Sequence, residues 1–293
     1  MVPQSSQLHI ALEGNLVHVR CGENNGFWSD YERGLWEPDT QAVFRRFIDT
    51  QHSYIDIGAW MGPTLLLGCQ LAKRAYGVEP DPVAYAELVE NIKYNRPLTD
   101  NVQLFNICIT PVSGKVAFGS RGNGGDSMSS LLFSNKKTSW TVDGMNFQEW
   151  IELNKINDCN FIKMDIEGGE YSVLPTMTAY LRKHRPTLHL SLHPCFLGEL
   201  EVRGVMAKLK RSILRLKNTI RILNMLRFYK YLYDPHGRGQ SWGGSSLPSR
   251  IHGRLVKKSW KPIILLVACL CSIRGNPSAL VLTDQKWQLT ATK

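Results

Sequence analysis

Residues 53 to 62, Ser-Tyr-Ile-Asp-Ile-Gly-Ala-Trp-Met-Gly, constrain this chain more than any other stretch. Tyr54 to Ile57 read as a short buried strand, Gly58 and Gly62 permit a tight turn, and Thr64 to Lys73 follow as a helix. A strand, a glycine turn and a helix make a nucleotide cradle. About twenty residues past the glycines, the apolar strand Ala75 to Val78 ends in Glu79, where a carboxylate can accept both hydroxyls of a ribose. The two landmarks belong to one site.

A dinucleotide-binding turn offers three glycines as G-x-G-x-x-G. Here the pattern is Asp56-x-Gly58-x-x-x-Gly62, with an acid ahead of the first glycine. That spacing resembles motif I of the class I methyltransferases that use S-adenosylmethionine. The resemblance implies that Asp56, Gly58, Ala59 and Gly62 lie against the methionine part of the cofactor, with Glu79 and Pro80 at its ribose. The alternative is an ordinary strand-loop-helix whose glycines serve only packing.

The elements that follow set the fold class. Pro82 to Tyr94 carries Ala84, Leu88 and Ile92 at helical spacing, and Val102 to Ile109 reads as a third strand. The order β-α-β-α-β calls for a parallel sheet with helices on both faces. By the same resemblance, the turn around Cys108 passes near the adenine through its backbone. Residues 111 to 140 are rich in Gly, Ser, Asn and Asp and read either as a loop over the site or as an unconstrained surface loop.

A third landmark is Phe161 to Glu170, FIKMDIEGGE. Its strand presents Asp165 at the carboxyl end, where open α/β sheets bind ligands. Glu167 and Glu170 open the next helix, either capping it or contacting substrate or metal. In the fifth strand, Thr187 to His193, residues His189, Ser191 and His193 share one face. His193 ends beside the predicted cleft and is a second candidate base after Asp165, against a plain structural role. A metal on Asp165, Glu167 and His193 is conceivable, but the spacing does not demand one, and none is expected.

Taken together, Tyr54 to Ala59, Val78 to Pro82 and Ile162 to Glu170 resemble the FkbM-type methyltransferases over roughly residues 50 to 195. Trp60 departs from the Asn usual at that position. The resemblance implies a seven-stranded, mostly parallel, doubly wound Rossmann-like sheet of α/β class. It also implies methyl transfer from S-adenosylmethionine to a hydroxyl of a sugar, lipid or secondary metabolite. Asp165 and His193 are then the catalytic candidates, because a carboxylate beside the acceptor suits removal of a hydroxyl proton. Two other readings stand beside it, a nucleic-acid methyltransferase and a non-catalytic binding module of the same fold. The first lacks the N/D-P-P-Y/F tetrad of amino-group methylation, since Asp165-Ile-Glu-Gly occupies its place.

The rest of the 293 residues flank this core. Residues 1 to 40 read as a hairpin turning at Gly14-Asn15, expected to cover a sheet edge, plus a lead-in. In that lead-in Trp28, Tyr31 and Trp36 either pack or line a substrate mouth, and Asp39 or Thr40 caps a helix through Phe44 and Phe47. Residues 41 to 293 form the methyltransferase domain. Between Val202 and Lys261 fifteen Lys/Arg face one acid, Asp234. Residues 199 to 224 read as an amphipathic basic helix, either a solvated flank or a contact for an anionic membrane surface or a phosphate-bearing partner. Phe228 to Tyr233 and Ala279 to Thr283 supply the last strands, and the resemblance places the latter antiparallel between the fifth and sixth. An extra segment at 249 to 277 fits a strand, a buried helix or a membrane-surface contact equally. Seven scattered cysteines without a zinc pattern, and an N-terminus unlike a signal peptide, lead to a cytoplasmic protein as the expectation, associated at most peripherally with membranes.

Overall fold

The apolar stretches read as parallel strands do assemble into one sheet. The computed structural model describes residues 7–120, 124–125, 129–133, 138–197, 205–233 and 278–285. Its chain runs β1 Gln7–Leu12, β2 Asn15–Arg20, α1 Asn25–Glu32, α2 Pro38–Phe47, β3 Ser53–Ile57, α3 Pro63–Leu71, β4 Arg74–Val78 and α4 Pro82–Tyr94. It continues β5 Val102–Phe105, β6 Cys108–Thr110, β7 Gly114–Ser120, β8 Thr138–Asn146, α5 Phe147–Leu153, β9 Cys159–Met164, α6 Glu170–His184, β10 Thr187–Leu192, α7 Val205–Met225, β11 Tyr231–Tyr233 and β12 Ser278–Thr283. The main sheet has the order β11-β12-β10-β9-β3-β4-β5. β12 lies antiparallel between β10 and β11, as the family resemblance implies for the last strand.

Alternation along the strands feeds two apolar layers. Ile55, Ile57, Ile162, Met164, Leu188 and Leu190 face a core built with α5, α6 and α7. Tyr54 and Phe161 point the other way, into a core shared with the hairpin and helices α1 to α4. Helix α3 is buried from Pro63 to Cys69, which explains its near-continuous apolar sequence. Asp81 caps α4 by accepting from Val83 and Ala84 N–H, and Pro82 occupies the first turn, where no donor is needed.

Six expectations need correction. The third strand stops at Phe105, and Cys108–Thr110 joins a separate three-stranded sheet, β6-β8-β7. The stretch 111 to 140, read as a loop, supplies β7 and the start of β8 to that sheet. Val116 to Gly119 and Ser139 to Val142 pair antiparallel despite the surrounding Gly and Ser, since cross-strand pairing around Phe118 and Val142 overrides composition. The hairpin covers helix α4 rather than a sheet edge: Asn91 and Asn95 Oδ1 accept from Arg20 and His18 N–H at 2.7 and 2.8 Å. Its turn is Glu13-Gly14, one residue earlier than expected. Helix α2 begins at Pro38 after Glu37 in a left-handed conformation, so neither Asp39 nor Thr40 is its cap. The sixth strand is confined to Tyr231–Tyr233. The predicted helix start at 199 to 204 and the extra segment 249 to 277 lie outside the described residues.

At the sheet's centre Asp56 on β3 stands in register with Lys163 on β9. Lys163 Nζ lies 3.2 Å from Asp56 Oδ1 and donates to the Gly58 carbonyl at 2.7 Å. Tyr54 and Thr64 hydroxyls donate to Asp56 Oδ2, both at 2.7 Å. Burial opposes the Lys163 charge, but Asp56 and Asp165 outweigh it and raise its pKa. Removing one member of such a pair leaves a buried charge alone and costs about 3–5 kcal/mol. Lys163→Met should therefore lower the thermal midpoint sharply, and adding Asp56→Asn should restore most of the loss. A single variant that melts like the parent would show that the pair contributes nothing.

Candidate active site

The loop after β3 is shaped by close backbone contact. Gly58 and Ala59 N–H both donate to the Val78 carbonyl at 3.0 Å, locking the loop to the end of β4. Gly58 has φ +85°, and a Cβ there would sit 1.9 Å from the Asp165 carbonyl oxygen, so only glycine fits. Gly62, at φ +100°, caps α3. Between them Trp60 takes a left-handed φ of 50°, unusual for a bulky residue. Its backbone N–H donates to Glu79 Oε2 at 2.8 Å and its indole N–H to the Gly125 carbonyl at 2.8 Å. The aromatic ring also meets Phe27 edge to face at 4.9 Å.

Glu79 is buried at the end of β4, its other oxygen accepting from Asp81 N–H at 2.8 Å. Burial pushes its pKa up to about 7 despite those two N–H donors. Asp81 Oδ2 accepts from Gly125 N–H at 2.9 Å and from the Ser129 hydroxyl at 2.7 Å. Trp60 and Asp81 thus fasten Gly125 and Ser129 above Glu79.

Two cavities open at the carboxyl edge of the sheet. A narrow cleft of about 50 Å³ lies among Ile57, Gly58, Val78, Glu79, Pro80 and Cys108, covered by Phe118 and Leu131. A larger cavity of about 460 Å³ has Phe27, Trp36, Glu37 and Asp39 on one side and Lys163, Ser191 and His193 on the other. Gly58, Trp60, Asp165 and Glu167 line both. Ala59 faces only the larger one. Asp56 and Gly62 line neither, and Asp56 supports the loop from below through Lys163. Trp28 and Tyr31 pack in the core, the Tyr31 hydroxyl donating to the Pro63 carbonyl, whereas Trp36 reaches the cavity wall. Cys108 is a buried thiol whose pKa burial pushes up to about 12.

The turn after β9 and the end of β10 bring four titratable groups together. Glu170, fully buried, accepts from Ile166 N–H at 3.0 Å and Gly168 N–H at 2.9 Å. Its Oε1 also lies 3.1 Å from His193 Nδ1, which orients the ring. The opposite nitrogen, Nε2, lies 3.6 Å from both Asp165 Oδ1 and Glu167 Oε2. Burial works against a charge on His193, but Glu170, Asp165 and Glu167 outweigh it and lift its pKa to about 9. Burial likewise disfavours charge on Asp165, yet His193 and Lys163 hold its pKa below the usual range. Glu167 goes the other way, pushed by burial and by Asp165 to about 7. Asp165, Glu170 and His193 approach closely enough to share an ion, but Glu170 already serves two backbone donors and the imidazole. Its geometry is that of an orienting carboxylate.

Two cavity residues escaped the sequence reading. Glu37 sits across the cavity, its pKa raised by burial and by Asp165, with the Thr40 hydroxyl donating to it at 3.0 Å. An acid before a helix-opening Pro38 carries no signal that it faces a cleft 128 residues away in sequence from Asp165. Lys163 did leave a signal, as a lone charge within the apolar run Phe161 to Met164, which needs a buried partner.

Comparison with known proteins bears on this edge of the sheet. The family model described as "Methyltransferase FkbM domain" matches residues 56–233. No curated protein matches significantly. An FkbM methyltransferase from Methylobacillus flagellatus KT is 21% identical, with a TM-score of 0.36, over 50% of this chain and 34% of that one. The match thus spans about a third of that relative's length. The M. jannaschii tRNA m1G37 methyltransferase is 12% identical at a TM-score of 0.32, covering 64% of this chain and 42% of that one. SMU.1697c of Streptococcus mutans, solved in complex with SAH, is 9% identical at 0.39, covering 83% and 95%. These structural likenesses are distant, and the assignment rests on the family match over more than half of the chain. By that match, which takes in the glycine loop, Glu79 and the acid-rich turn after β9, the chain belongs to the FkbM methyltransferase domain family.

Proposed function

We propose that this chain transfers a methyl group from S-adenosylmethionine to a hydroxyl oxygen of an acceptor seated in the larger cavity. One observation carries the reading: Asp165 and Glu167 stand on the wall common to both cavities, where donor and acceptor would meet. The cleft residues fit the nucleoside. Each Glu79 oxygen accepts one backbone N–H, and a carboxylate has about four acceptor positions, so two remain for ribose hydroxyls. Val78, Cys108, Ile109 and Phe118 offer apolar walls for a flat base.

The cofactor supplies a methyl group on a sulfonium that needs no further activation. The protein's part is to place the acceptor and take its proton. Asp165 is held ionised by His193 and Lys163, its buried Oδ1 3.6 Å from His193 Nε2, and it lies on the wall that an incoming hydroxyl would meet. His193, pinned by Glu170 and protonated at neutral pH, balances the surrounding carboxylates rather than taking the proton itself. Glu167 titrates near neutrality on the shared wall and is the group placed to receive it. Phe27, Trp36 and Trp60 beside carboxylates suit a hydroxylated acceptor with an apolar face, as a sugar ring has. A nucleic-acid acceptor is disfavoured, because Glu37, Asp39, Asp165 and Glu167 would repel its phosphates.

Two measurements test this. Ribose hydroxyls donate to the ionised form of Glu79, so binding must pull its proton off. Titration calorimetry should show S-adenosylhomocysteine binding more tightly at pH 8 than at pH 6, with proton release near pH 7, and the trend should survive in Glu167→Gln. Absence of binding at every pH removes the cofactor assignment. For turnover, kcat/KM should rise through about pH 7 as Glu167 ionises, and Glu167→Gln should lose that limb and roughly 10²–10⁴ in rate. A variant within twofold of the parent would exclude Glu167 as the proton acceptor.

A further inference from the structure

Helix α7 carries a surface that the methyltransferase reading leaves unused. Met206, Leu209, Ile213, Leu216, Ile220 and Leu223 recur at alternating three- and four-residue steps, making one stripe along the helix. At its carboxyl end the stripe is anchored, with Leu223 buried against the sheet beside Ile222 and Leu226. At its amino end it is bare: Met206 is 66%, Leu209 52% and Ile213 55% exposed. Lys210, Lys217 and Arg221 follow the row next to Met206 and Ile213, and Lys208, Arg211 and Arg215 complete six basic residues against no acid in the helix. Arg215 donates to the Cys195 and Leu197 carbonyls and so joins α7 to the segment just after His193.

We infer that the amino-terminal half of α7 docks on an anionic lipid surface, its apolar stripe entering the headgroup boundary while Lys210 and, just past the midpoint, Lys217 meet lipid phosphates or carboxylates. The charge pattern selects this occupant. A second copy of the helix would set six like charges against six. A nucleic acid would satisfy the basic row but leave Met206, Leu209 and Ile213 in water. An anionic bilayer takes both faces, with apolar burial and charge attraction adding. No helix among the described residues is long and apolar enough to cross a membrane, so the contact lies on the surface. The inference is independent of the proposed methyl transfer.

The test is co-sedimentation of the full chain with vesicles of phosphatidylcholine alone and with one third phosphatidylserine. Binding to the anionic vesicles, weakening as salt rises, and little binding to the neutral ones is the expected result. Leu209→Ser with Ile213→Ser, and separately Lys210→Glu with Lys217→Glu, should each reduce partitioning at least tenfold. These positions are exposed, so circular dichroism and S-adenosylhomocysteine affinity should stay at parental values. Parental partitioning in both variants would locate the binding elsewhere in the chain and overturn the inference. So would equal affinity for neutral vesicles, no vesicle binding, RNA binding in its place, or a dimer that the serine variant dissolves.

Discussion

The site depends on a charge pair that never touches either cavity through its acid. Asp56 and Lys163 face each other across the two central strands, and four polar contacts converge on them: two hydroxyls, one carbonyl and the pair itself. Parallel register puts them opposite, and burial, complete for Asp56 and nearly so for Lys163, makes the pairing strongly favourable. Lys163 then has protons left over. One goes to the Gly58 carbonyl, which fixes the glycine loop, and its field helps keep Asp165 ionised on the shared wall. A structural ion pair thereby sets both the shape and the charge of the edge above it.

Electrostatics at that edge follows from crowding of like charge. Glu37 and the acid-rich turn Asp165 to Glu170 come from two distant parts of the chain to surround His193 and Lys163. Two cations do not neutralise this many carboxylates, so the group least supported by donors yields. Asp165 has His193, Lys163 and Ser191 and stays charged. Glu167 has His193 at the same 3.6 Å, but burial and the charges of Asp165 and Glu170 push it up, and it titrates near neutral pH. Neighbouring carboxylates with pKa values pushed apart are the arrangement from which acid–base roles are read.

Trp60 shows how a departure from a family pattern can be absorbed. Its ring does not block the loop, because the left-handed backbone sends it toward Phe27 and Gly125 while its N–H serves Glu79. The same residue thus joins the glycine loop, Glu79 and the segment around Gly125. Asp81 repeats the device one turn away, capping α4 with one oxygen and holding Gly125 and Ser129 with the other.

Local signals in the sequence determined the strand-loop-helix after Ser53, Glu79 at the next strand end, the acid-rich turn after Met164 and the doubly wound order, because each is written within a few neighbouring residues. The small sheet from residues 108 to 146 was not legible, since its strands are held by one another and not by their Gly- and Ser-rich composition. Nor was the hairpin's seat on α4, which depends on Asn91 and Asn95 reaching across from a helix far along the chain. Only the tertiary structure decided that Asp56 supports the loop from beneath, that Glu170 orients His193, and that Glu37 faces Asp165. Charge roles of that kind arise from which side chains burial brings within a few ångströms of one another, and spacing along the chain carries no record of that distance.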